Sequence, residues 1–147
     1  MYSHILVPTD GSPLSRAAIK AAVALARSLG ARITGVFASP APTPILFRNH
    51  LPAGYATPRE NEALIAKAAA AHLQVIQKAA DAAGVPCTCV TVKSDFPADA
   101  ILAEAKRRKC DLIVMASHGR RGIKGLLLGS ETQKVLAQAK IPVLIHR

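Results

Sequence analysis

One stretch of this chain carries residue types suited to anion chemistry: residues 116–133, read as ASHGRRGIKGLLLGSETQ. Gly119, Gly122, Gly125 and Gly129 recur in it, interleaved with Arg120, Arg121 and Lys124. Glycines let successive backbone N–H groups turn inward with no Cβ in the way, and such loops cradle phosphates. A helix starting near Ser130 adds unpaired N–H donors and the positive end of its dipole, worth about 0.3–1 kcal/mol where exposed. The competing reading is a plain strand-to-helix connection with solvated basic residues. Neither GxxxxGK[ST] nor GxGxxG occurs to decide between the two.

A carboxylate stands at a second strand end. Asp10 follows the apolar run Ser3 to Val7, where an aspartate often serves a turn or a cap. Ser12 followed by Pro13 is the better helix cap, which leaves Asp10 to accept from a ligand hydroxyl or amine. His118 beside Gly119 has a donor for an anion, although a lone loop histidine is more often incidental. Ser130 and Gln133 fit the capping box S-x-x-Q. Glu131 in the same turn favours the dipole but repels a phosphate unless it points away. No Ser/His/Asp or Cys/His set and no acidic pair with metal spacing is recognisable, so catalysis has little support.

The elements that must position these residues alternate along the whole chain. Strands are expected at Ser3 to Val7, Arg32 to Ala38, Cys87 to Val92, Asp111 to Ala116 and Ile141 to His146. Helices are expected from Ser12-Pro13 to Gly30, from Arg59 to Ala83, from Pro97 or Asp99 to about Lys109, and from Ser130 to Ala139. In the second helix Leu64, Ala68, Ala71, Val75 and Ala79 fall three or four residues apart and read as its apolar stripe. This β-α-β-α-β-α-β-α-β order predicts one parallel sheet with helices on both faces, and ligands at the carboxyl ends of its strands. If the first and fourth strands are neighbours, Asp10 and Gly119 face one crevice. Residues 39–58 hold Pro40, Pro42, Pro44, Pro52 and Pro58 and read as a lid or mobile segment rather than a linker.

Composition narrows the classes. At 147 residues, 1–147 is expected to be one domain. Three phenylalanines, two tyrosines and no tryptophan force an aliphatic core and leave few stacking platforms for single-stranded nucleic acid. A net charge of +10 permits anion or nucleic-acid attraction, but no basic tail concentrates it. Lys106 to Lys109 is expected at a helix carboxyl end, where cations suit the dipole. Cys87, Cys89 and Cys110 are odd in number, against a disulfide framework, and read as core or half-buried thiols that make a poor zinc site. No apolar run reaches a membrane span and no signal peptide is visible, so the expected location is cytoplasmic.

The opening ILVPTDGS, the M-x-S-H-G-R run and the closing LGSETQKVL and IPVLI resemble the universal stress protein family over essentially the whole chain. Nucleotide-binding members of that family carry G-x2-G-x9-G followed by Ser or Thr. Gly119, Gly129 and Ser130 match its later part, while the first glycine falls on Ala116. The resemblance implies a three-layer α/β/α fold of the adenine nucleotide alpha hydrolase-like type, with strand order 3-2-1-4-5. It implies ATP, or AMP or another adenine nucleotide, between the first and fourth strands, with Mg²⁺ as a common companion. Asp10 would meet the ribose and adenine side, and the Val36 backbone the adenine edge. Pro8, Thr9 and Met115 would line base and sugar. Gly119, Gly129 and Ser130, with Ala116, Arg120 and Glu131 beside them, would surround the phosphates. Were position 116 to need a left-handed backbone, Ala116 would cost roughly 1–2 kcal/mol, about tenfold in affinity.

The same resemblance implies a homodimer through the last strand, and the apolar edge strand 141–146 gives an independent reason for pairing. The function expected is an adenine-nucleotide-binding regulatory module of the stress response with little or no turnover and with unnamed protein partners. Three rivals remain: a family member that binds no nucleotide and works by protein contact, a slow ATPase or phosphotransfer enzyme on the same fold, and, last, a nucleic-acid binder. The enzyme is disfavoured because PTDGS stands where related ATP pyrophosphatases carry an SGGxDS-like loop.

Overall fold

The computed structural model describes residues 1–39, 57–119 and 127–147. In order along the chain come β1 (His4–Pro8), α1 (Pro13–Leu29), β2 (Arg32–Ser39), α2 (Pro58–Ala83), β3 (Cys87–Lys93), α3 (Pro97–Arg107), β4 (Leu112–Ala116), α4 (Ser130–Gln138) and β5 (Val143–His146). All strand pairings are parallel, as the alternation of elements predicts, and the sheet order is β3-β2-β1-β4-β5, as the resemblance implies. Parallel strands place every carboxyl end at one edge of the sheet. The loops after β1 and β4 therefore open side by side.

Alternation along β1 and β4 divides the core into two layers. Ile5, Val7, Leu112 and Val114 meet Ile19 and Ala22 of α1 and Leu73 and Ile76 of α2. Leu6, Ile113 and Met115 meet Ala98 and Ile101 of α3 and Val135 of α4 on the opposite face. Each fully buried aliphatic side chain contributes about 1.5–3 kcal/mol, so an aromatic-poor core suffices.

Local signals set the helix ends. Ser12 caps α1 by accepting the Ser15 N–H, and Gly30 ends it in the left-handed conformation at φ 66°. Thr57 and Glu60 form a reciprocal capping box at the start of α2. At the end of α3, Arg107 and Arg108 both bond the Glu104 carboxylate, which holds that carboxyl below the usual range. The expected helix-end placement of the Lys106–Lys109 cluster is thus met with an acidic partner as well as the dipole.

Three expectations need correction. The buried face of α2 is Ala69, Leu73, Ile76 and Ala80, not the stripe containing Leu64 and Val75, which are 60% and 38% exposed. Alanine lies all round this helix and blurs its period, so the larger Leu73 and Ile76 decide which face turns inward. The capping box at Ser130 does not form: Gly129 is the N-cap of α4, no side chain caps it, and the Gln133 amide donates to the Leu128 carbonyl instead. Finally, β5 begins at Val143, because Pro142 contributes only a carbonyl, which accepts the Ile113 N–H. Of the proline-rich segment, residues 40–56 lie outside the described residues.

Candidate functional site

The loop after β1 is built around Thr9 and Asp10. Thr9 is buried, and its hydroxyl oxygen accepts from Ser15 Oγ at 2.8 Å and from the Gly11 N–H at 3.1 Å. Its own N–H donates to the Val36 carbonyl at 2.9 Å, which extends the β1–β2 ladder one residue past Pro8. Asp10 Oδ1 accepts the Ser12 N–H at 2.9 Å, an Asx turn that fixes the carboxylate beyond the strand end. Gly11 follows at φ 77°, and the His72 imidazole of α2 fills the space where a Cβ would stand. That ring also lies against Phe37, with centroids 5.4 Å apart.

The loop after β4 comes to meet it. A Cβ on Gly119 would overlap Asp10 Oδ2, so the carboxylate lies directly on the glycine. Gly129 returns the chain to the same place, its N–H donating to the Ser117 carbonyl at 2.7 Å. A Cβ there would stand 3.0 Å from His118 Cβ and 3.1 Å from His118 Cα. This is close approach of backbone to backbone; its φ of −71° needs no glycine. Thr132, buried in the first turn of α4, donates its hydroxyl to the Ala116 carbonyl at 3.1 Å and ties helix to strand. Ser130 is exposed at the first helical position, and the α4 amino end has no side-chain cap, unlike those of α1 and α2. Such an end offers N–H donors to an anion.

Two worries raised by the sequence are answered here. Ala116 lies in β4, and Lys109 is the only non-glycine with positive φ among the described residues, so position 116 carries no left-handed strain. Glu131 points away from the crevice: Oε2 accepts the Ala98 N–H at 2.9 Å and Oε1 meets Lys134 at 3.2 Å. It thereby supplies α3 with the cap that Phe96 lacks.

Asp10, Ala116, Gly119, Gly129 and Ser130 are thus gathered at neighbouring strand ends. Pro8 is half-buried at the end of β1. Val36 and Met115 lie beneath, 0% and 6% exposed, in the layer covered by α3 and α4. Arg120, like Arg121, Gly122, Lys124 and Gly125, falls outside the described residues. Sequence reasoning missed Thr132 and His72. Thr132 was legible only as a member of the first turn, and His72 reaches Gly11 solely through the packing of α2.

The family model for universal stress proteins matches residues 1–147. The chain belongs to the universal stress protein family. Among curated relatives, the Thermus aquaticus universal stress protein in the QAH/OAS sulfhydrylase 3′ region is 36% identical over 147 residues, with 100% of both chains covered. Among solved structures, protein MJ0577 of Methanocaldococcus jannaschii aligns with TM-score 0.81 at 25% identity, covering 99% of this universal stress protein and 96% of that chain. A universal stress protein in complex with cAMP aligns with TM-score 0.68 at 28% identity, covering 98% and 95%. No helix among the described residues is long and apolar enough to cross a membrane.

Proposed function

We propose that this universal stress protein binds an adenine nucleotide, ATP foremost, in the crevice between the carboxyl ends of β1 and β4. The observation that carries the reading is the Asp10 carboxylate seated on Gly119, which brings an acceptor and an open backbone position into one place. Asp10 accepts from a ribose hydroxyl, while Gly119 and the uncapped first turn of α4 at Ser130 offer N–H groups to phosphate; Gly129, its own N–H held by the Ser117 carbonyl, lets the two loops approach. Glu131, turned toward α3, leaves that turn free of its negative charge. The cAMP complex of a 28% identical relative supports the adenine class of ligand. Mg²⁺ accompanies the phosphates as their counter-ion.

The sequence offers no recognisable nucleophile–base set, so the proposed role is regulatory, with little or no turnover, in a single cytoplasmic domain. Two chains pair through β5, an edge strand whose Leu144 is 40% exposed. Nucleotide occupancy then changes a surface read by partner proteins in the stress response.

Calorimetric titration of ATP, AMP and cAMP into the wild type and Asp10→Asn tests the site. The charge-assisted bond is worth about 1.5–3 kcal/mol, so the variant should bind at least about tenfold more weakly. Equal affinity in both proteins rejects the assignment of Asp10.

A further inference from the structure

Cys87 and Cys89 take no part in the crevice, yet they form the clearest cluster of soft donor atoms among the described residues. They are alternate residues of the edge strand β3, so both sulfurs lie on the face turned to α2, 3.9 Å apart. Both are half-buried, whereas Cys110 is only 6% exposed. Cys89 is paired across the ladder with Gly35, where a Cβ would stand 3.1 Å from its sulfur. The absent side chain makes room for the thiol, which donates to the Leu73 carbonyl at 3.5 Å. On its outer side Cys89 lines a shallow, open concavity of about 500 Å³ with Lys67, Gln74 and Gln77. A solute can therefore reach the Cys89 sulfur, with the half-buried Cys87 sulfur 3.9 Å beyond it.

We propose that Cys87 and Cys89 form an open two-sulfur chelate for a soft, thiophilic metal ion of the Cu(I) or Cd(II) kind. With a metal–thiolate bond near 2.3 Å, as for zinc, sulfurs 3.9 Å apart subtend roughly 115° at a shared ion, and the longer bond of Cd(II) closes that angle toward the tetrahedral value. Linear coordination would need a separation of about 4.6 Å. Solute ligands in the concavity complete the coordination shell. No group of three or more His, Cys, Asp or Glu side chains assembles among the described residues, which therefore do not by themselves build a closed zinc site. Thiolate donors without oxygen or nitrogen partners select soft ions.

Charge around the pair is mixed. The hydrogen bond between the thiols favours Cys89 as the acceptor sulfur, which holds it below the ordinary thiol value and pushes Cys87 up. The Asp81 carboxylate opposes ionisation of both and attracts a cation instead; Lys67 also lines the concavity. Binding exchanges the two thiol protons for the ion and moves no electrons.

The test is anaerobic titration of the reduced 147-residue chain with Cd(II), read by thiolate-to-metal charge-transfer absorption, together with proton release and melting temperature. Wild type and Cys110→Ser should each take up about one ion with release of about two protons, and the ion should raise their melting temperature. Cys87→Ser and Cys89→Ser should bind about 10²–10⁴-fold more weakly, the advantage lost with one tethered ligand. Cys87→Ala and Cys89→Ala, melted without metal, identify any variant that has lost its fold. Wild-type affinity in a folded Cys87 or Cys89 variant, or loss of binding in Cys110→Ser, overturns the proposal.

Discussion

Replacing Gly119 with alanine should disable the crevice through Asp10 while sparing the fold. The new Cβ would overlap Asp10 Oδ2, the far end of a side chain able to rotate away. Rotation breaks the bond from the Ser12 N–H to Oδ1, now 2.9 Å. A hydrogen bond to a charged group is worth about 1.5–3 kcal/mol, and water recovers part of it at this half-buried loop. A stability loss of about 1–2 kcal/mol follows, or roughly 2–4 °C in melting temperature for each kcal/mol. Nucleotide affinity should fall further, by about 10- to 100-fold, because the displaced carboxylate no longer meets the ribose. The assay is calorimetric titration of ATP into wild type, Gly119→Ala, Asp10→Ala and the double variant. If the alanine acts through Asp10, its effect vanishes in the Asp10→Ala background, a coupling of about 1.5–3 kcal/mol. Unchanged affinity in Gly119→Ala, or the same loss with and without Asp10, refutes the reasoning.

Other substitutions separate site from scaffold. Glu131→Ala removes the acceptor for the Ala98 N–H, and a lost cap costs about 0.5–2 kcal/mol; denaturant melts should show this while ATP affinity stays within about twofold. If two chains pair through β5 as proposed, Leu144→Lys, at an edge-strand position 40% exposed, should leave only monomer in sedimentation equilibrium where the wild type sediments as a dimer, with little change in melting temperature. Stability should also fall in mild acid through His4, whose Nε2 bonds Thr34 Oγ1 at 2.8 Å. Burial first, then the nearby Arg32 charge, lowers its pKa from the ordinary 6.5. The unfolded chain therefore takes the proton first: this stability is complete above pH 6.5 and is lost as pH falls through the lowered folded value. Urea titrations between about pH 7 and pH 5 should show a shallower pH dependence in His4→Gln than in wild type; equal slopes contradict the assignment.

Much of the architecture was legible because the signals were local or periodic. Pro13 and Gly30 bracket α1, short β-branched runs mark the strands, and their alternation with helices leaves few topologies. The meeting of Asp10 with Gly119 follows once β1 and β4 are neighbours, since parallel strands end on the same side. The inward face of α2 was hidden by alanine, which fits either side of a helix, and only packing against β2 and β3 selects Leu73 and Ile76. Glu131 read as a hazard in its own turn because its partner, the Ala98 N–H, belongs to another helix. Gly129 rather than Ser130 stands at the cap of α4, where the chain lies close against His118, a spatial demand that no local propensity announces.

The most direct test of the central claim is an amide NMR titration of the ¹⁵N-labelled chain with ATP. Saturable shifts centred on Gly11, Gly119, Gly129 and Ser130, with β3 unaffected, are the predicted result. No saturable change at those amides, or changes confined to a surface away from the carboxyl ends of β1 and β4, would contradict it.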